Sequence, residues 1–232
     1  MSTLKRQKSM LYDIFDLAIE NEFCIRNPVK SIIITSDKPK NEKKSYTLAK
    51  SNLILKSANN GDKWGLCVYI ALTMGLRRGE ILGLKWSDID LEEKTMHILR
   101  AVEPDTKGEP QDGELKSKDS NRILPFNNDV SLVLKDVQRK SDYVIAGNTK
   151  WGYTSIYGFD KGYKKYMKEL TDKLELPYLS PHELRHTCGT VMREKGIDLY
   201  TISRFLGHSD SKITGSTYVH NDIEVLRKRL YP

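Results

Sequence analysis

The sequence predicts a mainly helical α+β fold with a small antiparallel β-sheet to one side, and three observations carry that reading. Apolar residues recur at helical spacing over most of the 232 residues. Two stretches, 95–102 and 122–126, are instead rich in β-formers, and the polar segment between them is punctuated by Gly108 and Gly113. No internal repeat or low-complexity tract points to a solenoid or an array.

Each element follows from local pattern. Met10, Leu11, Ile14, Phe15, Leu17 and Ala18 form one amphipathic helix, which Asn27 and Pro28 stop. One helix cannot enclose a core. Residues 35–45 then lose all apolar side chains and carry Lys38, Pro39, Lys40, Lys43 and Lys44, the composition of a solvated connector. A domain boundary is expected near Tyr46, which separates 1–45 from a main domain at 46–232. Thr47 is expected to open one helix and Asp62 to cap the next, whose apolar face includes Trp64, Leu66, Val68, Ile70 and Leu72. The uncharged run 64–76 falls short of the ~20 residues a membrane span needs. It ends at Arg77 and Arg78, so it reads as a buried core helix.

After the two strand-like runs, helical periodicity returns over 129–137 and 156–174, and in shorter segments to the C-terminus. Ser180, Pro181 and Glu183 open a helix by three signals together: a Ser cap, Pro at the first helical position, and Glu three residues after the cap. Asp198 begins a further helix, and Gly207 is placed to end it in a left-handed conformation.

Composition narrows the partners. Lys and Arg total 38 against 31 acidic residues, a net charge of +7, which favours an anionic partner, nucleic acid ahead of an acidic membrane surface. Cys24, Cys67 and Cys188 are odd in number, widely spaced and without a CxxC pair, which argues against a disulfide framework or a thiolate zinc site. No export signal marks the N-terminus, so the expected location is the cytoplasm, with no membrane association.

Several residues are candidates for chemistry. Arg77 lies where the apolar run meets a turn, a place that holds a guanidinium still; Arg pairs phosphate oxygens bidentately, which a flexible Lys does less well. Arg78 is expected to face solvent or touch backbone. His182 and Arg185 lie three apart near a helix start, where backbone donors and the positive macrodipole favour an anion. Lys116 lies in the polar stretch between the strands with Lys118 and Arg122 nearby, which reads either as a solvated charged loop or as a hairpin lysine able to donate a proton. His208 follows the helix stop. Tyr218 would be a poor nucleophile alone, since an unperturbed phenol titrates near ~10. A competing pattern is HExxH at His182, Glu183 and His186, in which both histidines would bind zinc and Glu183 would activate water. Against it, Glu183 already serves the capping box, and no third ligand stands out downstream.

Taken together and in order, TMGLRRGEILGL at 73–84, the Lys116 stretch ending in 122–125, HELRHT at 182–187, Leu206 to His208, and TYVH at 217–220 resemble the tyrosine recombinases, the phage and conjugative-transposon integrases. The resemblance covers essentially all of the chain after the connector. It implies that Arg77 and Arg185 clamp the scissile phosphate, that Lys116 (or its neighbour Lys118) is the hairpin lysine, that His182 and His208 assist, and that Tyr218 attacks to give a covalent 3′-phosphotyrosine. It further implies double-stranded DNA as substrate, a homo-tetramer on that DNA, an excisionase or DNA-bending proteins as accessory partners, and no metal, cofactor or ATP. Residues 1–45 would be the remnant of a core-binding helical domain followed by a basic linker. Gly215, just before the nucleophile, weakens a helix by roughly 1 kcal/mol relative to Ala. The Tyr218 segment is therefore expected to be mobile until DNA or a neighbouring subunit orders it.

Overall fold

The computed structural model describes residues 3–34, 44–58, 61–104, 110–114, 121–147, 149, 152–207 and 223–231. The chain divides into two compact units, Met1–Glu42 and Lys43–Pro232. In the first unit α1 (Thr3–Glu20) contains no buried residue. It stops before Asn27, whose side chain instead donates to Tyr12 O at 3.0 Å and to Asp16 Oδ1 at 2.7 Å. The returning chain is thereby pinned along the helix.

In the second unit the helices are α2 (Leu48–Ala58), α3 (Lys63–Thr73), α4 (Arg78–Gly83), α5 (Asn128–Asp136), α6 (Ile156–Lys173), α7 (Pro181–Glu194), α8 (Leu199–Leu206) and α9 (Ile223–Leu230). The strands are β1 (Ile89–Asp90), β2 (Thr95–Ile98), β3 (Arg100–Pro104), β4 (Pro110–Glu114) and β5 (Arg122–Pro125). Helix α3 lies at the centre. Every residue from Gly65 to Leu72 is buried, and the helix packs against α2, α6 and α7. A helix apolar on all sides has no solvent face to offer, so other helices must surround it. Asp62 caps it, accepting from Trp64 N at 2.7 Å.

The mainly α architecture with a small antiparallel sheet agrees with the expectation, but the β region is two sheets. The run 95–102 breaks at Leu99. Its first half, β2, pairs antiparallel with β1 and β5, while β3 pairs only with β4 among the described residues. Arg100 follows the break and its Nη1 reaches Asp88 Oδ2 at 2.5 Å and Gly83 O at 3.3 Å, which ties the start of β3 to the end of α4. Among the described residues no helix is long and apolar enough to cross a membrane.

Candidate functional site: an arginine cluster around Glu80

Three short-range features deliver Arg77. Helix α3 ends at Thr73 with Met74 as its C-cap, and Gly75 turns the chain with φ of 60°. Any other residue there would be strained at this left-handed angle and would press on the end of the Leu206 side chain, so the backbone angle is what demands glycine. Arg77 then stands at the N-cap of α4, its backbone N–H donating to Glu80 Oε2 at 2.8 Å.

Arg185 arrives from α7. The predicted capping box is present: Ser180 Oγ accepts from Glu183 N at 3.4 Å, and Glu183 Oε2 accepts from Ser180 N at 2.7 Å. Ser180 Oγ also donates to that carboxylate at 2.7 Å. Glu183 is thus engaged at the helix start, away from the water-activating role an HExxH peptidase requires of it. Three residues on, the helix turns from solvent to core, so that His182 is exposed and Arg185 buried.

The two arginines meet at one carboxylate and one helix end. Arg77 Nη1 bonds Glu80 Oε1 at 2.8 Å, and Arg185 Nη1 lies 3.8 Å from Glu80 Oε2. Arg77 Nη2 donates to Gly207 O at 2.7 Å, and Arg185 Nη2 donates to Leu206 O. Arg185 Nη1 also donates to Gly75 O at 2.6 Å. These carbonyls close α8, which Asp198 caps at its start and left-handed Gly207 ends, as the sequence predicts. The negative end of a helix macrodipole thus meets a cluster of guanidinium groups.

A third arginine completes the cluster. Arg122, 4% exposed, donates from Nη1 and Nη2 to Glu80 Oε1 and Oε2 at 3.1 and 3.0 Å, and from Nε to Phe205 O at 3.0 Å. Successive carbonyls of residues 205, 206 and 207 therefore each take a different arginine. The sequence places Arg122 at the start of a strand-like run and assigns it no role; the structure buries it on an ion pair. The available signal was register, since Arg122 shares its strand face with buried Leu124. Glu80 was also missed. It stands three residues after Arg77, the spacing at which helix-start side chains meet. Arg78, for its part, keeps 41% of its side chain exposed and pairs with Asp160 Oδ1 on α6 at 2.7 Å.

The electrostatics favour an anion. Burial drives the Glu80 carboxyl upward, but the hydrogen bonds and charge of Arg122, the backbone N–H of Arg77 and the charge of Arg185 outweigh it, so its pKa falls from 4.5 to about 2. Burial, with Arg77 alongside, lowers Arg185 to about 10, still protonated at neutral pH. Three arginines against one glutamate leave an excess of positive charge. Arg77 keeps 41% of its side chain exposed, whereas Arg185 keeps 4%. Among the described residues no group of three or more His, Cys, Asp or Glu side chains is placed to hold a metal ion. Lys116, Lys118, His208, Gly215 and Tyr218 lie outside the described residues.

The pattern of the phage integrase family matches residues 41–224. The chain belongs to that family, the tyrosine recombinases. Its relatives include a XerC-like tyrosine recombinase of Caldanaerobacter subterraneus subsp. tengcongensis, 28% identical over 94% of this chain and 62% of that protein. The transposase of transposon Tn916 from Enterococcus faecalis is 27% identical over 94% of this chain and 58% of its own length. The chain thus spans about three fifths of these relatives. Among solved structures, the Tn1549 transposon integrase in complex with circular intermediate DNA superposes with a TM-score of 0.74 at 19% identity, over 99% of this chain and 75% of that one. A lambda integrase dimer bound to a COC′ core site gives 0.56 at 19% identity, over 90% and 73%. The family fold is therefore established for this chain, with Arg77, Glu80, Arg122 and Arg185 all inside the matched residues.

Proposed function

We propose that this chain cleaves and rejoins duplex DNA at a specific site through a covalent tyrosyl intermediate, integrating or excising a mobile element. The single observation that carries the reading is the convergence of Arg77 and Arg185 on Glu80 and on adjacent carbonyls of residues 206 and 207. Two fixed guanidinium groups present the planar donors and the charge that a phosphate in transition requires. Donors preorganised in this way are each worth ~3 kcal/mol or more of transition-state stabilisation.

In this mechanism Arg77 and Arg185 hold the non-bridging oxygens, and His182 and His208 donate further hydrogen bonds. The Tyr218 hydroxyl passes its proton to the His182 and His208 pair as its oxygen bonds to phosphorus in line with the 5′ oxygen. The P–O5′ bond breaks, and Lys116 supplies the proton for the departing 5′-hydroxyl. The phosphodiester energy stays in the phosphotyrosine link, so religation reverses the same steps, and the reading assigns no metal, cofactor or ATP. It also assigns 46–232 as the catalytic domain and 1–45 as a core-binding helical segment with its linker. The working assembly is a tetramer on DNA in the cytoplasm, with an excisionase or DNA-bending proteins as accessory partners. DNA complexes of the Tn1549 and lambda integrases support the choice of substrate.

The test is covalent capture. A pool of nicked suicide duplexes, randomised across the crossover region, is incubated with the protein and separated under denaturing conditions. The wild type should retain DNA of defined sequence on the protein, and Tyr218→Phe should retain none. Retention by both, or by neither, contradicts the assignment.

A further inference from the structure

Arg122 has no contact to make with substrate in this mechanism, yet it is placed on the carboxylate that the two clamp arginines share. A carboxylate offers about four lone-pair sites over its two oxygens. At Glu80 the named bonds account for that number: Arg122 Nη1 and Arg77 Nη1 on Oε1, and Arg122 Nη2 and the Arg77 backbone N–H on Oε2. Arg185 Nη1 stops at 3.8 Å, beyond hydrogen-bond distance.

We propose that Arg122 is a positioning residue, which saturates Glu80 so that Arg77 and Arg185 keep their charge and remaining N–H groups for a phosphate. The inference rests on the reading of those two arginines as the phosphate clamp. Arg122 acts through Glu80 and touches no DNA. Its removal would leave Glu80 facing two arginines instead of three, and the carboxylate sites it vacates would draw Arg185 and Arg77 inward. The cluster would lose half of its excess positive charge, falling from +2 to +1 on the formal charges of Arg77, Arg122, Arg185 and Glu80. Among the causes that hold Glu80 ionised against its burial, Arg122 stands first, ahead of Arg77 and Arg185.

The alternative is that Arg122 only ties β5 to α4 and α8, through Glu80 and Phe205. Charge compensation separates the two. Single-turnover adduct formation is measured on a duplex captured by the wild type, for Arg122→Gln, Arg122→Lys and the double variant Glu80→Gln/Arg122→Gln, with thermal melting as a check on folding. Partial withdrawal of the clamp donors, whose outright loss costs about 100-fold or more each, predicts a rate on the order of 10- to 100-fold lower for Arg122→Gln. The double variant, which restores the excess of two charges, should recover about tenfold of that loss, and Arg122→Lys should exceed Arg122→Gln by a similar factor. A double variant no faster than Arg122→Gln, with Arg122→Lys equally slow, overturns the proposal. Should Arg122→Gln fail to fold, a double variant that folds and cleaves still supports it, and one that folds without cleaving overturns it. Failure of the wild type to form an adduct withdraws the clamp reading and this inference together.

Discussion

Glu80, 2% exposed, organises three cationic side chains that come from α4, β5 and α7. At the residue scale the consequence is geometric as much as electrostatic, because each guanidinium is fixed at several points before any ligand arrives. Arg77→Lys and Arg185→Lys keep the charge and lose the fork, so both are expected to slow adduct formation by about 100-fold or more. Rates near wild type in both variants would contradict their assignment. Acid provides a second check. The folded-state pKa of Glu80 lies below its ordinary value, so its contribution to stability is fully present above about 4.5 and is lost as the pH falls towards about 2. Denaturant midpoints measured over that window should drop more steeply for the wild type than for Glu80→Gln, and equal slopes would show that Glu80 does not drive the acid response. Arg77 and Arg185 were legible in the sequence as parts of ordered motifs. Glu80 and Arg122 were not, because their pairing joins residues far apart in the chain, and local periodicity carries no record of such a pair.

At the scale of elements, helix ends did much of the positioning and were also the easiest features to read. Asp62, Ser180 and Asp198 cap α3, α7 and α8 at the residues where short polar side chains precede an apolar pattern. Ser180→Ala removes one half of the capping box that orients the first turns of α7, and should cost about 1 kcal/mol. For a domain of this size that corresponds to a melting temperature lower by roughly 2–4 °C. An unchanged melting temperature would show that the box contributes nothing. The β region was read less fully. Composition marks 95–102 as strand-forming, but it cannot tell which neighbour each half pairs with. The division at Leu99 follows from the contacts of Arg100 with Asp88 and Gly83, which lie in other elements.

For the whole molecule, the buried helix α3 supplies the rigid centre from which Arg77 departs and against which α7 packs, bringing Arg185 alongside. That centre was evident from the uncharged run 64–76, since thirteen or so apolar and small residues in succession leave no face for solvent. The chain carries a net charge of +7 and the arginine cluster has a positive excess of its own, so DNA binding by backbone contacts should weaken steeply as salt rises, through counterion release. Affinity that is flat between low and physiological salt would argue against such a grip. The most direct measurement of the central claim is peptide mass spectrometry of the captured protein–DNA adduct after nuclease and protease digestion. The account predicts a 3′-linked nucleotide remnant on Tyr218, reduced about 100-fold or more at matched early times when either Arg77 or Arg185 is replaced by Lys. A remnant on any other residue, or an undiminished Tyr218 adduct in both arginine variants, would contradict it.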